Sequence, residues 1–163
     1  LSKPFVDSKE KDRNMANSAT NNASYDSNQK NLPTANPTQL RKKRVLIVED
    51  EDSASKFLSL RLKKLGFEVS AAADGMTGLQ EVMASPPDLV ILDLMLPKLP
   101  GEEICKAIRE SFDEQVAKIP VIMLTGKDSM VDKILGKVIG ADAYLTKPYE
   151  FDDLLTAIRR IIP

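Results

Sequence analysis

Apolar residues follow two regimes along this chain, with a boundary near residue 40. From residue 41 onward, short continuous apolar runs alternate with stretches in which apolar residues recur every three or four positions. The runs cover residues 45–48, 67–72, 88–92, 119–124 and 143–146 and have the length of buried strands. Between them, five sets repeat at helical spacing: Phe57, Leu58, Leu62 and Leu65; Leu79, Val82 and Met83; Ile104, Cys105 and Ile108; Val131, Ile134, Leu135, Val138 and Ile139; and Phe151, Leu154, Leu155, Ile158 and Ile161. Gly66 and Gly140 follow the first and fourth sets, where glycine ends helices, and Asp74 precedes the second, where an aspartate caps one. Five βα units with strands apolar on both faces predict an α/β domain: a doubly wound, five-stranded parallel sheet with five helices covering both sides. In such sheets sites form beyond the carboxyl ends of the strands.

Residues 1–40 differ. The stretch 14–37 is rich in Asn, Ser, Thr and Ala and has no sustained apolar period. It buries too little apolar surface to offset its chain entropy, which predicts a disordered leader or linker over 1–40 and a folded domain over 41–163. The chain opens on Leu1 rather than Met, which suits a fragment of a longer protein. Across the 163 residues, 23 basic and 24 acidic side chains leave a formal net charge of −1. That balance provides no global attraction to nucleic acid or an anionic membrane, and the basic run at 41–44 reads as a solvated approach to the first strand. No run spans a bilayer and no signal-peptide core is present, so the expected compartment is cytoplasmic, which a single cysteine suits. The absence of histidine excludes a Ser-His-Asp triad and any histidine metal site within the chain.

The strand ends carry the chemistry. The first strand runs into Glu49, Asp50, Glu51 and Asp52, the third into Asp93, the fourth into Thr125 and Gly126, and the fifth into Lys147 and Pro148. Carboxylates gathered at one edge repel unless a cation neutralises them, and oxygen donors without histidine or cysteine favour a hard ion, Mg²⁺ in particular. A hydroxyl and an ammonium beside that ion suit a phosphoryl group. Taken singly, each residue has a blander reading: Asp93 or Thr125 as a cap, Glu49 and Asp50 as a solvated turn, Lys147 as a surface lysine.

Four strings in order remove most of that ambiguity: VLIVEDE at 45–51, PDLVILDLMLPKLPG at 87–101, IPVIMLTG at 119–126 and GADAYLTKPYE at 140–150. Together they make residues 43–162 resemble a receiver domain of the bacterial response-regulator family. The resemblance implies the flavodoxin-like strand order 2-1-3-4-5. It implies that Asp93 is the phosphoacceptor, that Asp50 binds Mg²⁺ directly with Glu49 as its neighbour, and that the backbone carbonyl of Met95 completes the metal site. It further implies that Thr125 is the switch hydroxyl, that Lys147 pairs with the phosphoryl group beside the Gly126 N–H, and that Tyr144 changes rotamer on activation. The partner it implies is a histidine kinase or a histidine phosphotransfer protein. The output surface is the face made by helix 4, strand 5 and helix 5. Side chains two positions after the acceptor and two after the threonine, here Met95 and Lys127, would flank the water that hydrolyses the phosphoryl group. A sharp turn aiming Lys147 at the site also predicts a cis Lys147–Pro148 peptide.

Two other classes fit parts of the pattern. A phosphorylation-independent binding module would not need the complete acidic set, Thr125 and Lys147. An aspartate-nucleophile phosphatase commonly places a second acid two residues after the nucleophile, where this chain has Met95.

Overall fold

The structure is a computed structural model and describes residues 41–126 and 140–163. The leader expected over 1–40, the helix expected over 131–139 and Lys127 lie outside the described residues. Five strands form one parallel sheet: β1 (Arg44–Val48), β2 (Glu68–Ala72), β3 (Leu89–Asp93), β4 (Val121–Thr125) and β5 (Ala143–Thr146), in the order β2-β1-β3-β4-β5. This is the 2-1-3-4-5 order expected of the receiver fold. Around the sheet lie α1 (Asp52–Lys64), α2 (Gly75–Ala84), α3 (Gly101–Arg109), a single turn α4 (Glu114–Ala117) and α5 (Phe151–Ile161).

Alternation explains why the central strands read as unbroken apolar runs. Successive side chains of a strand point to opposite faces, and here both faces are covered. Leu46, Val48, Val90, Leu92, Val121 and Met123 enter one core cluster with Val82 of α2 and Ile104, Cys105 and Ile108 of α3. Val45, Ile47, Leu89, Ile91, Ile122 and Leu124 enter the other with Leu58 and Leu62 of α1 and Phe151, Leu154 and Ile158 of α5. The edge strand β2 instead exposes Glu68, Ser70 and Ala71.

Helix boundaries follow the sequence signals. Gly66 adopts φ +96°, a left-handed conformation that ends α1 without the penalty a Cβ would bring. The Asp74 side chain caps α2 by accepting from the Thr77 N–H at 2.9 Å. Three features depart from expectation. The turn α4 has no apolar period to betray it and rests on an Asp113 cap with Val116 alone buried. Phe57 and Leu65 keep the helical spacing of α1 yet stand about half exposed, because they lie at the margins of the stripe that Leu58 and Leu62 fill. The basic run is not simply solvated: Arg41 bonds Asp88 at 2.6 Å, and Arg44 reaches Ser85 Oγ at 2.7 Å, tying β1 to the end of α2.

Candidate functional site

Parallel strands bring their carboxyl ends to one edge, and the sheet order puts β1 beside β3 and β4 beside β5. Glu49 and Asp50 directly follow β1, Asp93 is the last residue of β3, Thr125 the last of β4, and Lys147 follows β5. Carboxylate oxygens of Glu49, Asp50 and Asp93 all lie within 4.8 Å of one another. Glu49 and Asp93 are buried and Asp50 is exposed. The Lys147 ammonium donates to Glu49 Oε2 at 2.7 Å and also to Asp93 Oδ2. The Lys147–Pro148 peptide is cis, as expected, and the Lys147 N–H donates to the Thr125 carbonyl at 2.6 Å.

The second Asp93 oxygen, Oδ1, accepts from the Met95 N–H at 2.9 Å, the local turn that aspartate favours with the residue two positions on. Asp93 is thus oriented by a backbone donor on one side and an ammonium on the other. Electrostatics follow from this packing. Burial pushes the Glu49 carboxyl up, the Lys147 hydrogen bond opposes, the Asp93 charge adds, and the outcome is a raised value. For Lys147, burial pulls down but the bonds to Asp93 and Glu49 outweigh it, so the ammonium is held above its ordinary value.

The loop between β3 and α3 is held by contacts that residue type alone does not announce. A Cβ on Gly101 would stand 2.3 Å from the Asp93 carbonyl oxygen, and one on Gly75 would stand 1.9 Å from that of Leu99. Only glycine lets α3 and α2 start this close to the loop. Lys98, at φ 67°, donates to Asp74 Oδ2 at 2.7 Å. With the Thr77 N–H, this bond holds the Asp74 carboxyl down at about 2. The signal available beforehand was Gly101 itself, two residues after Leu99 in a loop carrying two prolines, Pro97 and Pro100.

The remaining expected site residues divide. Thr125 is fully buried, and its hydroxyl has no hydrogen-bond partner among the described residues. Gly126 lies exposed at the end of β4 with open space around its Cα. Met95 projects its side chain into solvent, 80% exposed. Tyr144 sits on β5 rather than at the acidic edge. Its ring packs against the core cluster on the α2–α3 side, and its hydroxyl is buried beside the Ala141 backbone.

The donor set fits a hard divalent cation: three carboxylates in reach of one ligand position, no sulfur or imidazole, and a buried hydroxyl free to accept or donate nearby. A carboxylate nucleophile, an ammonium and such a cation define a phosphoryl-accepting switch domain. Residues 45–159 match the family model for the response regulator receiver domain. The chain belongs to that family, and with it to the Mg-dependent phosphoacceptors of two-component signalling.

Among similar proteins are the sensory transduction protein RegX3 of Mycolicibacterium smegmatis, 44% identical over 118 residues (72% of this chain, 50% of that protein). The alkaline phosphatase synthesis transcriptional regulatory protein PhoP of Bacillus subtilis is 40% identical over 120 residues (74% and 48%). The chain therefore spans about half the length of these curated relatives. Among solved structures, the chemotaxis response regulator CheY4 of Vibrio cholerae matches with TM-score 0.68 and 34% identity, covering 74% of this chain and 99% of that one. The receiver domain of a Pseudomonas aeruginosa sensor histidine kinase, solved with a magnesium ion in its active-site cleft, matches with TM-score 0.67 and 27% identity, covering 74% and 98%.

Proposed function

We propose that Asp93 is the phosphoacceptor, that Glu49, Asp50, Asp93 and the Met95 carbonyl hold Mg²⁺, and that Thr125, Gly126 and Lys147 bind the transferred phosphoryl group. The observation that carries this reading is the convergence of three carboxylates and one lysine from three strands, with Lys147 bonded to two of them. The Pseudomonas relative with magnesium in its cleft supports the choice of ion.

In the reaction, a carboxylate oxygen of Asp93 attacks the phosphorus of a phosphohistidine on the partner. The P–N bond breaks, an acyl phosphate forms, and the imidazole leaves with the electron pair. When bound, Mg²⁺ supplies charge neutralisation between the acidic cluster and the incoming phosphoryl oxygens. The Met95 N–H keeps Asp93 in line, and Lys147 trades part of its carboxylate pairing for the new phosphoryl oxygens. Thr125 then gains an acceptor for its hydroxyl, and Tyr144 responds by changing rotamer.

The same reading makes residues 41–163 the receiver. The output partner docks on the face made by the segment 131–139, β5 and α5, and the domain acts in the cytoplasm through proteins, without contacting nucleic acid or membrane itself. No helix among the described residues is long and apolar enough to cross a membrane. The test is intact mass after incubation with acetyl phosphate and Mg²⁺. Wild type should gain one phosphoryl adduct that chelator abolishes and Asp93→Asn lacks; an equal adduct on Asp93→Asn would overturn the assignment.

A further inference from the structure

At the end of the sheet opposite the acidic cluster, one side chain gathers four segments. Arg109, the last residue of α3, donates through Nε to the Gly140 carbonyl at 2.8 Å. Its Nη1 donates to the carbonyls of Ala117 at 3.1 Å and Ile119 at 2.8 Å, and its Nη2 to Asp142 Oδ2 at 2.8 Å. The same Asp142 oxygen accepts the Val121 N–H at 2.8 Å, and the Asp142 N–H donates to the Val121 carbonyl at 2.9 Å. The guanidinium fork thus fixes the close of α4, the approach to β4 and the turn into β5 against α3.

Tyr144 lies two residues beyond Asp142, packed on the cluster to which α3 contributes Cys105 and Ile108. Its hydroxyl is buried beside the Ala141 backbone, between the two residues that Arg109 grips, without a well-formed hydrogen bond, so the ring depends on how that turn and its packing are held. Burial raises the phenol's pKa, the Ala141 backbone opposes, Cys105 and Asp142 add, and Arg109 opposes. The ring's position is therefore set by where β5 begins and by the α3 surface it meets, and Arg109 joins those two.

We propose that Arg109 is a positioning residue for Tyr144: its clamp on Gly140 and Asp142 seats the start of β5 against α3 and so holds the Tyr144 ring in its inward, core-facing position. Loosening the clamp releases the ring outward and leaves the acidic cluster, at the far end of the sheet, intact. The proposal deepens the switch reading of Tyr144 and rests on it for its signalling consequence; the clamp's hold on the ring is a separate observable. A lysine at position 109 keeps the charge but offers one donor centre in place of a planar fork, so it cannot serve three carbonyls and a carboxylate together.

The test uses the full chain with 3-fluorotyrosine and ¹⁹F NMR, the Tyr144 signal being assigned with Tyr25→Phe and Tyr149→Phe. In Arg109→Gln and Arg109→Lys the Tyr144 resonance should move toward the solvent-exposed shift without any phosphoryl donor, the inward population falling several-fold. Asp142→Asn, which retains an acceptor for the Val121 N–H, should give a smaller move in the same direction. Labelling of Asp93 by acetyl phosphate and Mg²⁺ should stay within two-fold of wild type. If Arg109→Gln does not fold, the Lys and Asp142→Asn variants decide. A Tyr144 resonance identical to wild type in folded Arg109 variants would overturn the proposal. A wild-type Tyr144 resonance that ignores phosphorylation, together with a shift in the Arg109 variants, would uphold the clamp and remove only the switch role of Tyr144.

Discussion

Removal of the Lys147 ammonium is the sharpest perturbation of the site, because it separates the lysine's role from the cation's. Lys147 pairs with Glu49, whose side chain is 1% exposed, and Asp93, at 9%, while itself remaining 33% exposed. Deleting one partner of a fully buried pair costs about 3–5 kcal/mol through the charge left behind. Lys147 is only two-thirds buried and its pairing is screened accordingly, so Lys147→Ala should destabilise the metal-free protein by about 1–3 kcal/mol. The lysine and a cation also compete for the same carboxylate oxygens. If binding the cation requires about 1.4 kcal/mol of lysine pairing to be surrendered, removing the lysine tightens Mg²⁺ about ten-fold. Urea unfolding in chelator and in excess Mg²⁺ measures the first effect and titration calorimetry the second. The stability deficit should shrink in excess Mg²⁺, Mg²⁺ affinity should be unchanged or tighter, and acetyl phosphate labelling should fall at least about ten-fold, or about 1.4 kcal/mol of barrier. Loss of Mg²⁺ binding with labelling at the wild-type rate would refute the competition and the phosphoryl role of Lys147 together.

Gly101→Ala should cost about 1–3 kcal/mol in urea and slow labelling, since the new methyl meets the Asp93 and Leu94 backbone, which cannot rotate away; wild-type stability would show that the loop yields. Asp74 titrates at about 2 in the folded chain, below the ordinary 3.8. Its stabilising contribution is complete above pH 3.8 and lost as pH falls toward 2, so wild type and Asp74→Asn, which keeps the cap, should differ in thermal midpoint at pH 7 and converge near pH 2; a constant difference would contradict this. Met95→Asn should shorten the phosphoryl lifetime several-fold, about 1 kcal/mol of barrier. The exposed thioether offers no strong donor or acceptor to orient water, and asparagine offers both. Loss of label from purified phosphoprotein in Mg²⁺ is the measurement, and an unchanged lifetime would count against the account.

Much of the fold was legible because its signals are local. The strands β1, β3 and β4 announce themselves as apolar runs since both faces are covered, and Gly66 and Asp74 mark helix ends through conformations only a few residue types favour. The acidic edge followed from the topology rule once the runs were strands: Glu49, Asp93, Thr125 and Lys147 each stand at a strand end. What stayed hidden depends on contacts between distant residues. Nothing local in Arg109 says that it will serve Ala117, Ile119, Gly140 and Asp142, and nothing in Lys98 predicts its bond to Asp74. The turn α4 is too short to display a period, and the exposure of Phe57 shows that helical spacing names a stripe without fixing its width.

On the proposed reading, the buried Thr125 hydroxyl supplies the energetic logic of the switch. Thr125 ends β4, and Tyr144 stands on the adjacent β5, facing Met123 in register two residues before Thr125 faces Thr146. The Thr125 hydroxyl is buried with no partner among the described residues, and a buried hydroxyl left unpaired costs about 1–3 kcal/mol; the Tyr144 hydroxyl is buried beside the Ala141 backbone. A phosphoryl oxygen on Asp93 would present Thr125 with an acceptor, recovering that cost and drawing the end of β4 toward β3. The Lys147 N–H on the Thr125 carbonyl carries such a movement into the end of β5. One recovered hydroxyl is worth about the same 1–3 kcal/mol as a typical allosteric coupling, a roughly five- to 150-fold change in affinity. One acyl phosphate is then sufficient to bias a two-state surface, provided that the other end of β5 stays anchored, and that is where Arg109 holds it.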